Sequence, residues 1–245
     1  MGVRKDRPGG PPHQKAAAIV VAAGESTRMA GVDKIFAPLA GKPLVSYCLD
    51  VLQDSPAIEA IVLVLSPENV DRGWRLVDAE GWTKVKEVCA GGSRRQDSVR
   101  NGLDRLPDFQ WVIVHDGARP FIDGGLVATG LEKARVTGAA VAAVPVKDTI
   151  KSADARDLVE KTLRRDRLWS VQTPQVFRRD LLADAHNRSS TDVTDDAAMV
   201  EAIGGKIKIY MGGQLNFKVT IPEDLAMAEA LLRTRPPAGQ HGGSH

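Results

Sequence analysis

From Ala17 to Val144 the chain repeats one alternation: a short run of β-branched or small apolar residues, then a turn, then an amphipathic stretch. Ala17–Ala22 (AAIVVA) gives way to a glycine turn and a helical pattern over Leu44–Leu52. Ile58–Leu65 (IEAIVLVL) precedes a helix beginning near Pro67. Lys84–Cys89 leads to a helix over about Arg95–Leu106, Trp111–His115 (WVIVH) to one over Gly125–Arg135, and Ala139–Val144 (AAVAAV) closes the series. Strands that are apolar throughout, rather than on alternate residues, are buried on both faces. Strands that alternate with helices indicate a parallel sheet. The pattern therefore predicts a Rossmann-like α/β fold, an open and mostly parallel sheet with helices on both faces. Later stretches continue it, with helices over Arg179–His186, Ala197–Ile203 and Glu223–Leu232 and a strand over Lys206–Tyr210.

Between Pro145 and Leu168 the period changes. Val146–Lys151 and Leu158–Leu163 alternate apolar and polar residues around a polar turn, Ser152–Asp157, which reads as a β-hairpin arm. Such an arm buries little by itself and should lean on something, either a second subunit or its own domain; pattern leaves both open. Residues 1–14 and 234–245 are rich in Pro, Gly and polar groups and read as disordered tails around a single domain over 15–233. His13, His241 and His245 fall in those tails.

Composition narrows the function. With 33 Lys+Arg against 31 Asp+Glu, the net charge of +2 offers no broad basic surface for nucleic acid. Cys48 and Cys89 stand far apart without metal-ligand spacing, as reduced thiols of a cytosol would. No apolar run is long enough to span a bilayer, and Met1–Gln14 lacks the apolar stretch of a signal peptide. The expectation is a cytoplasmic protein with neither a membrane nor a nucleic acid as partner.

In an open parallel sheet, ligands bind beyond the carboxyl ends of the strands. The loop after the first strand, Ala22-Ala23-Gly24-Glu25-Ser26-Thr27-Arg28-Met29, has the small residues a phosphate cradle needs. Arg28 and Lys34 would neutralise a triphosphate, where an isolated glycine turn would carry only solvated cations. Ser26 and Met29 stand where the dinucleotide fingerprint requires glycine, and Pro43 stands where a Walker loop requires Ser or Thr. Both of those phosphate loops are excluded, and with the first an NAD-dependent dehydrogenase.

A second loop, Ala90–Ser98, has paired glycines that could hold a nucleobase edge, with Ser98 adding a hydroxyl; an ordinary turn before a helix is the alternative. In the third, His115–Pro120, Asp116 could hold Mg²⁺ or a substrate hydroxyl and Arg119 could grip phosphate, or the two could simply pair with each other. His115 is expected to pack or cap. Lys218, within the apolar segment Asn216–Thr220, is either a surface lysine on an edge strand or a cation for a phosphoryl transition state. The acidic cluster Asp192, Asp195 and Asp196 reads as helix capping, with Thr194 and its neighbours.

Taken together, AAGESTRM, DKIFAPLAGKPL, AGGSRRQDSV, VHDGARPF, PVKDTIK, LWSVQTPQ, TDDA and NFKVTIPEDLAMAE resemble one family in order and over nearly the whole chain: 2-C-methyl-D-erythritol 4-phosphate cytidylyltransferase, of the non-mevalonate isoprenoid pathway. The resemblance implies transfer of CMP from CTP to methylerythritol phosphate, with Mg²⁺ and a homodimer made through the arm. It implies that Ala22, Ala23 and Gly24 line the CTP site, with Gly92, Ser93 and Ser98 selecting cytosine and Gly117 beside them. Arg28, Lys34 and Lys218 become the catalytic cations. Asp116, Arg119, Thr149, Arg165 and Thr173 become the acceptor site, Asp116 also the metal ligand, and Arg165 and Thr173 complete the pocket across the dimer interface. The sequence departs from the family at Asp33 and Ile35, where Pro and Gln are common, and at Ser93, where an acid is common; Arg164 also adjoins Arg165. An acid at position 33 is expected to lower the positive potential around Lys34. The nearest rival acceptor is ribitol 5-phosphate; a rival of another class is a non-catalytic CTP sensor.

Overall fold

The computed structural model describes residues 16–24, 33–106, 108–189 and 192–234. The regions read as tails, apart from Thr234, and the site residue Arg28 lie outside the described residues.

In chain order the elements are β1 (Ala16–Ala22), a 3₁₀ turn (Lys34–Phe36), β2 (Pro38–Leu39), β3 (Lys42–Pro43), α1 (Leu44–Asp54), β4 (Ile58–Leu65), α2 (Val70–Glu80), β5 (Val85–Ala90), α3 (Arg95–Arg105) and β6 (Trp111–Asp116). There follow α4 (Gly124–Thr137), β7 (Ala139–Pro145), β8 (Lys151–Ala153), β9 (Val159–Thr162), β10 (Trp169–Arg178), α5 (Arg179–Arg188), α6 (Asp196–Ala202), β11 (Lys208–Met211) and α7 (Pro222–Thr234). Among the described residues the main sheet has seven strands in the order β11-β7-β10-β6-β1-β4-β5. All run the same way except β10, which is antiparallel to both β7 and β6.

The strand pattern explains the layers. Ala16, Ala18, Val20 and Ala22 of β1 enter a core shared with α1, α2, α4 and α7, whereas Ala17 and Ile19 enter a second core shared with α3, α5 and α6. Successive side chains point to opposite faces, so a strand buried on both sides must be apolar at every position. In α1, Leu44, Val45, Cys48, Leu49 and Leu52 form the buried face, at the spacing of helical turns. Emptying one such site, as in Leu49→Ala, typically costs about 2–5 kcal/mol.

Four expectations shift. The helix expected near Pro67 starts at Val70, after a separate 3₁₀ turn at Pro67–Asn69. The hairpin is displaced as well as shorter: Val146–Ile150 is not strand, whereas β8 runs into the expected turn, which Asp154 closes by accepting the Arg156 and Leu158 N–H groups at 2.9 and 3.0 Å. Lys218 sits on an irregular segment, not a strand; that segment is held by the Val219 N–H donating to Ala118 O at 2.8 Å. Finally, Leu168–Gln175, where the apolar pattern predicts no strand, is mostly the strand β10. Its polar residues hid it: Gln172, Thr173 and Gln175 are buried, but each is hydrogen-bonded, which removes the penalty that would otherwise keep them at the surface. Among the described residues no helix is long and apolar enough to cross a membrane.

Candidate active site

The strands β1, β4, β5 and β6 end along one rim, and their loops surround a cleft of about 650 Å³. Ala22, Ala23 and Gly24 line it from β1, Gly92, Ser93 and Ser98 from the loop and helix after β5, and Asp116 from the end of β6; Lys34 and Lys218 also line it.

Close approach of two loops requires the glycine that leads this second set. A Cβ on Gly91 would lie 2.3 Å from the Ala23 Cβ and 2.6 Å from Ser98 Oγ, so the loops after β1 and β5 could not meet around a larger residue. Ser98 Oγ accepts the Gly92 N–H at 3.1 Å, and Ser93 Oγ donates to Asp97 at 3.2 Å. Gly24, by contrast, has open space where a side chain would begin.

Asp116 is the electrostatic centre. Lys218 Nζ is 3.0 Å from its Oδ2, Arg95 Nε 3.3 Å from Oδ1 and Arg119 Nε 3.6 Å from Oδ2. Burial alone would raise its carboxyl, but Arg95, then Lys218 and Arg119, more than offset this and hold it well below the ordinary carboxylate range. The Asp116–Arg119 pairing weighed from sequence is present, though as one contact of three. Arg95 in turn places Nη1 2.6 Å from Asp196, a fully buried carboxylate at the start of α6. Burial disfavours the Arg95 cation, and the two carboxylates more than compensate, so its pKa is raised.

Behind Asp116 a hydrogen-bond chain fixes the backbone. The Asp116 N–H donates to Thr173 Oγ1 at 3.0 Å, and Thr173 Oγ1 lies 3.1 Å from His115 Nδ1. His115 Nε2 lies 3.2 Å from the Arg119 carbonyl, which can only accept. The proton therefore belongs on Nε2, leaving Nδ1 to accept from the Thr173 hydroxyl. Burial pushes His115 down to about 4, consistent with a neutral ring. Arg119 Nη1 donates to Asn216 O at 2.8 Å, and Asn216 Nδ2 donates to Thr173 O at 2.8 Å; this lacing brings the Lys218 segment to Asp116.

Of the residues singled out from sequence, nine thus share one cleft: Ala22, Ala23, Gly24, Lys34, Gly92, Ser93, Ser98, Asp116 and Lys218. Thr173 lies behind them, 3% exposed and bonded to Asp116 and His115 of its own chain, so it does not complete a pocket across a subunit interface as the resemblance implied. Gly117 packs against β1, its N–H donating to Val21 O at 2.9 Å, and Arg119 spans Asp116 and Asn216. Thr149 and Arg165 are exposed on the arm region, where Arg165 donates to the Lys147 carbonyl. Sequence reasoning gave no role to Arg95, and capping alone to Asp196. Capping of α6 falls to Asp195, which accepts the Ala198 N–H at 2.9 Å. Arg95 did carry a signal: a cation in the first turn of a helix opposes the helix dipole and needs a local reason to be there. His115 was expected to pack or cap, and it does so as part of the support for Asp116.

Among the described residues no group of three or more His, Cys, Asp or Glu could hold a metal ion alone. Asp116 does offer one carboxylate at the cleft wall, the donor set Mg²⁺ uses when substrate phosphates supply the remaining ligands.

A family model described as 2-C-methyl-D-erythritol 4-phosphate cytidylyltransferase matches residues 16–234. A relative of that name from Dehalococcoides mccartyi (strain CBDB1) is 49% identical over 221 residues, covering 90% of this chain and 97% of the relative. Among solved structures, 4-diphosphocytidyl-2C-methyl-D-erythritol synthase from Anaerococcus prevotii DSM 20548 superposes with a TM-score of 0.79 at 28% identity, over 90% of this chain and 99% of that one. The 2-C-methyl-D-erythritol 4-phosphate cytidylyltransferase from Thermus thermophilus gives 0.72 at 34% identity, over 89% and 99%. The matched span contains every loop that lines the cleft.

Proposed function

The chain belongs to the 2-C-methyl-D-erythritol 4-phosphate cytidylyltransferase family, and from that membership we infer how its cleft divides the work. The protein is a nucleotidyltransferase that moves CMP from CTP to 2-C-methyl-D-erythritol 4-phosphate and releases pyrophosphate, in isoprenoid precursor biosynthesis. One observation carries the assignment of residues: Lys34 and Lys218, far apart in sequence, line the same cleft as the glycine loops and Asp116.

In our reading the triphosphate lies along Ala22–Gly24 with Lys34, and the cytosine lies against Gly92, Ser93 and Ser98. The acceptor's phosphate oxygen attacks the α-phosphorus of CTP in line. A bond forms from that oxygen to phosphorus, the bond to the bridging oxygen of the β-phosphate breaks, and pyrophosphate leaves with the electron pair. A phosphate monoester is largely dianionic near neutral pH, with a second pKa of about 6, so no strong general base is needed. Catalysis then consists of positioning and charge stabilisation by Lys34 and Lys218. Asp116 fixes Lys218 and is the side chain that would hold Mg²⁺ arriving with the nucleotide. Bound there, the ion would supply neutralisation of phosphate charge. Thr173 and His115 hold Asp116 in place.

Thr149 and Arg165, exposed outside this cleft, suit a site completed by a second copy of the chain. Large apolar side chains exposed at Leu158, Val159, Trp169 and Val171 support the same dimer. Both cysteines are buried free thiols, which suits the reducing cytoplasm.

The test is pyrophosphate release from CTP and Mg²⁺ with methylerythritol phosphate or ribitol 5-phosphate as acceptor. Rapid turnover with the first and little with the second is expected. Preference for ribitol phosphate would reassign the acceptor, and tight CTP binding without turnover on either would make the protein a sensor.

A further inference from the structure

Lys34 reaches the cleft from the 3₁₀ turn Lys34–Phe36, and this turn is bound to the loop after β4. Asp33, which caps the turn, uses both carboxylate oxygens. Oδ1 accepts the Ile35 N–H at 3.0 Å, and Oδ2 accepts the Asn69 side-chain amide at 2.7 Å. The same Asn69 Nδ2 donates to Ser66 Oγ at 2.8 Å, so its two hydrogens go to two different segments of chain. A second contact runs in parallel: the Arg72 guanidinium carbon stands 4.0 Å from the centroid of the Phe36 ring. Ser66, Pro67 and Glu68, on the other side of this clasp, line the same cleft as Lys34.

The arrangement matters because a lysine is a point charge on a flexible stem. Where its ammonium can go depends on where its backbone is anchored. The sequence alone cast Asp33 as an acid that weakens the positive field around Lys34. Its hydrogen bonds show the carboxylate engaged by the Ile35 N–H and the Asn69 amide, which together hold the turn to the β4 loop.

We propose that Asp33 and Asn69 are positioning residues for CMP transfer: their hydrogen bond fixes the turn that aims Lys34 at the triphosphate. The proposal rests on the assignment of Lys34 to the nucleotide phosphates made above. Neither residue touches substrate; both act through Lys34.

Asn69→Asp sets a second carboxylate against Asp33 with almost no change of shape. A displacement of about 1 Å at a catalytic group can cost up to ~100-fold, so a fall in kcat of about tenfold is expected from the opened clasp. The reciprocal pair Asp33→Asn with Asn69→Asp exchanges donor for acceptor. It keeps an oxygen for the Ile35 N–H and should recover most of the lost rate. In a Lys34→Ala background, Asn69→Asp should change kcat by less than about twofold, because the group it positions is gone. A general loss of structure would instead lower the rate equally in both backgrounds.

Wild-type kcat in Asn69→Asp, an equal fall with and without Lys34, or no recovery in the exchanged pair would each overturn the proposal. Near-normal turnover of Lys34→Ala by itself would remove the assignment of Lys34, and the clasp's role with it. That outcome is distinct from a failure of the clasp alone.

Discussion

Two sets of charges in this molecule are built in opposite ways. Beneath the cleft, Asp116 has a side chain 9% exposed and is contacted by Arg95, Lys218 and Arg119, while Asp196, fully buried, holds Arg95 from the other side. On the arm, Asp154–Arg156 and Arg164–Asp166 pair between residues two apart, with both guanidinium groups largely in solvent. Exposed pairs of this kind contribute about 0–1 kcal/mol and are screened by salt. Buried ones cost desolvation to assemble, and deleting one partner leaves an uncompensated charge. The floor of the cleft is therefore preorganised before any ligand arrives, whereas the arm carries neither a core nor a charge network of its own.

The largest effect should come from the cleft. Lys218→Ala is expected to lower kcat by roughly 100-fold or more, about 3 kcal/mol of transition-state stabilisation. Arg95 and Arg119 still neutralise Asp116 in the variant, so folding should survive and circular dichroism should match the wild type. Turnover within about threefold of normal would mean that Lys218 only pairs with Asp116, and that the floor is structural like the arm.

This contrast also marks what could be read from the residues. Strands β1, β4, β6 and β7 were legible because burial on both faces leaves a continuous apolar run. Strand β10 was not, since the polar residues that disguised it are satisfied by partners far along the chain: Thr173 by Asp116 and His115, Gln175 by Asp195, Gln172 by Gly213. The cleft residues on glycine loops were legible from local chemistry. Arg95 and Asp196 were missed as a pair because their contact joins residues about a hundred positions apart, and neither side chain alone shows that the other will be buried against it. Asp33 reads locally as an acid that lowers the potential around Lys34, because its partner Asn69 lies 36 positions along the chain.

A smaller effect concerns pH. His115 is buried and neutral, its pKa lowered from 6.5 to about 4. As pH falls below 6.5 the unfolded chain takes up the proton first, so the stabilisation is full above that pH and is lost on the way down to about 4. The slope predicts a loss of about 2 kcal/mol in unfolding free energy between pH 7 and pH 5 from this residue. Urea titrations should show it in the wild type. His115→Gln, which starts less stable, should lose that much less over the same range. Equal pH dependence in both proteins would show that the ring titrates freely, and the floor would then resemble the solvated arm more than the comparison allows.

The smallest effect on the subunit's own fold belongs to the arm. Leu158 and Val159 are 58% and 62% exposed, and a two-stranded hairpin is marginal in isolation. If a second copy covers them, the melting temperature of the wild type should rise with protein concentration, because association stabilises by mass action. Val159→Lys should abolish that dependence and reduce the light-scattering mass from two chains to one. At the lowest concentration the two proteins should agree within about 0.5 kcal/mol, since Val159 supports no core within its own subunit. A variant that is strongly destabilised at every concentration would show the arm packed on its own domain, the alternative that its alternating sequence left open.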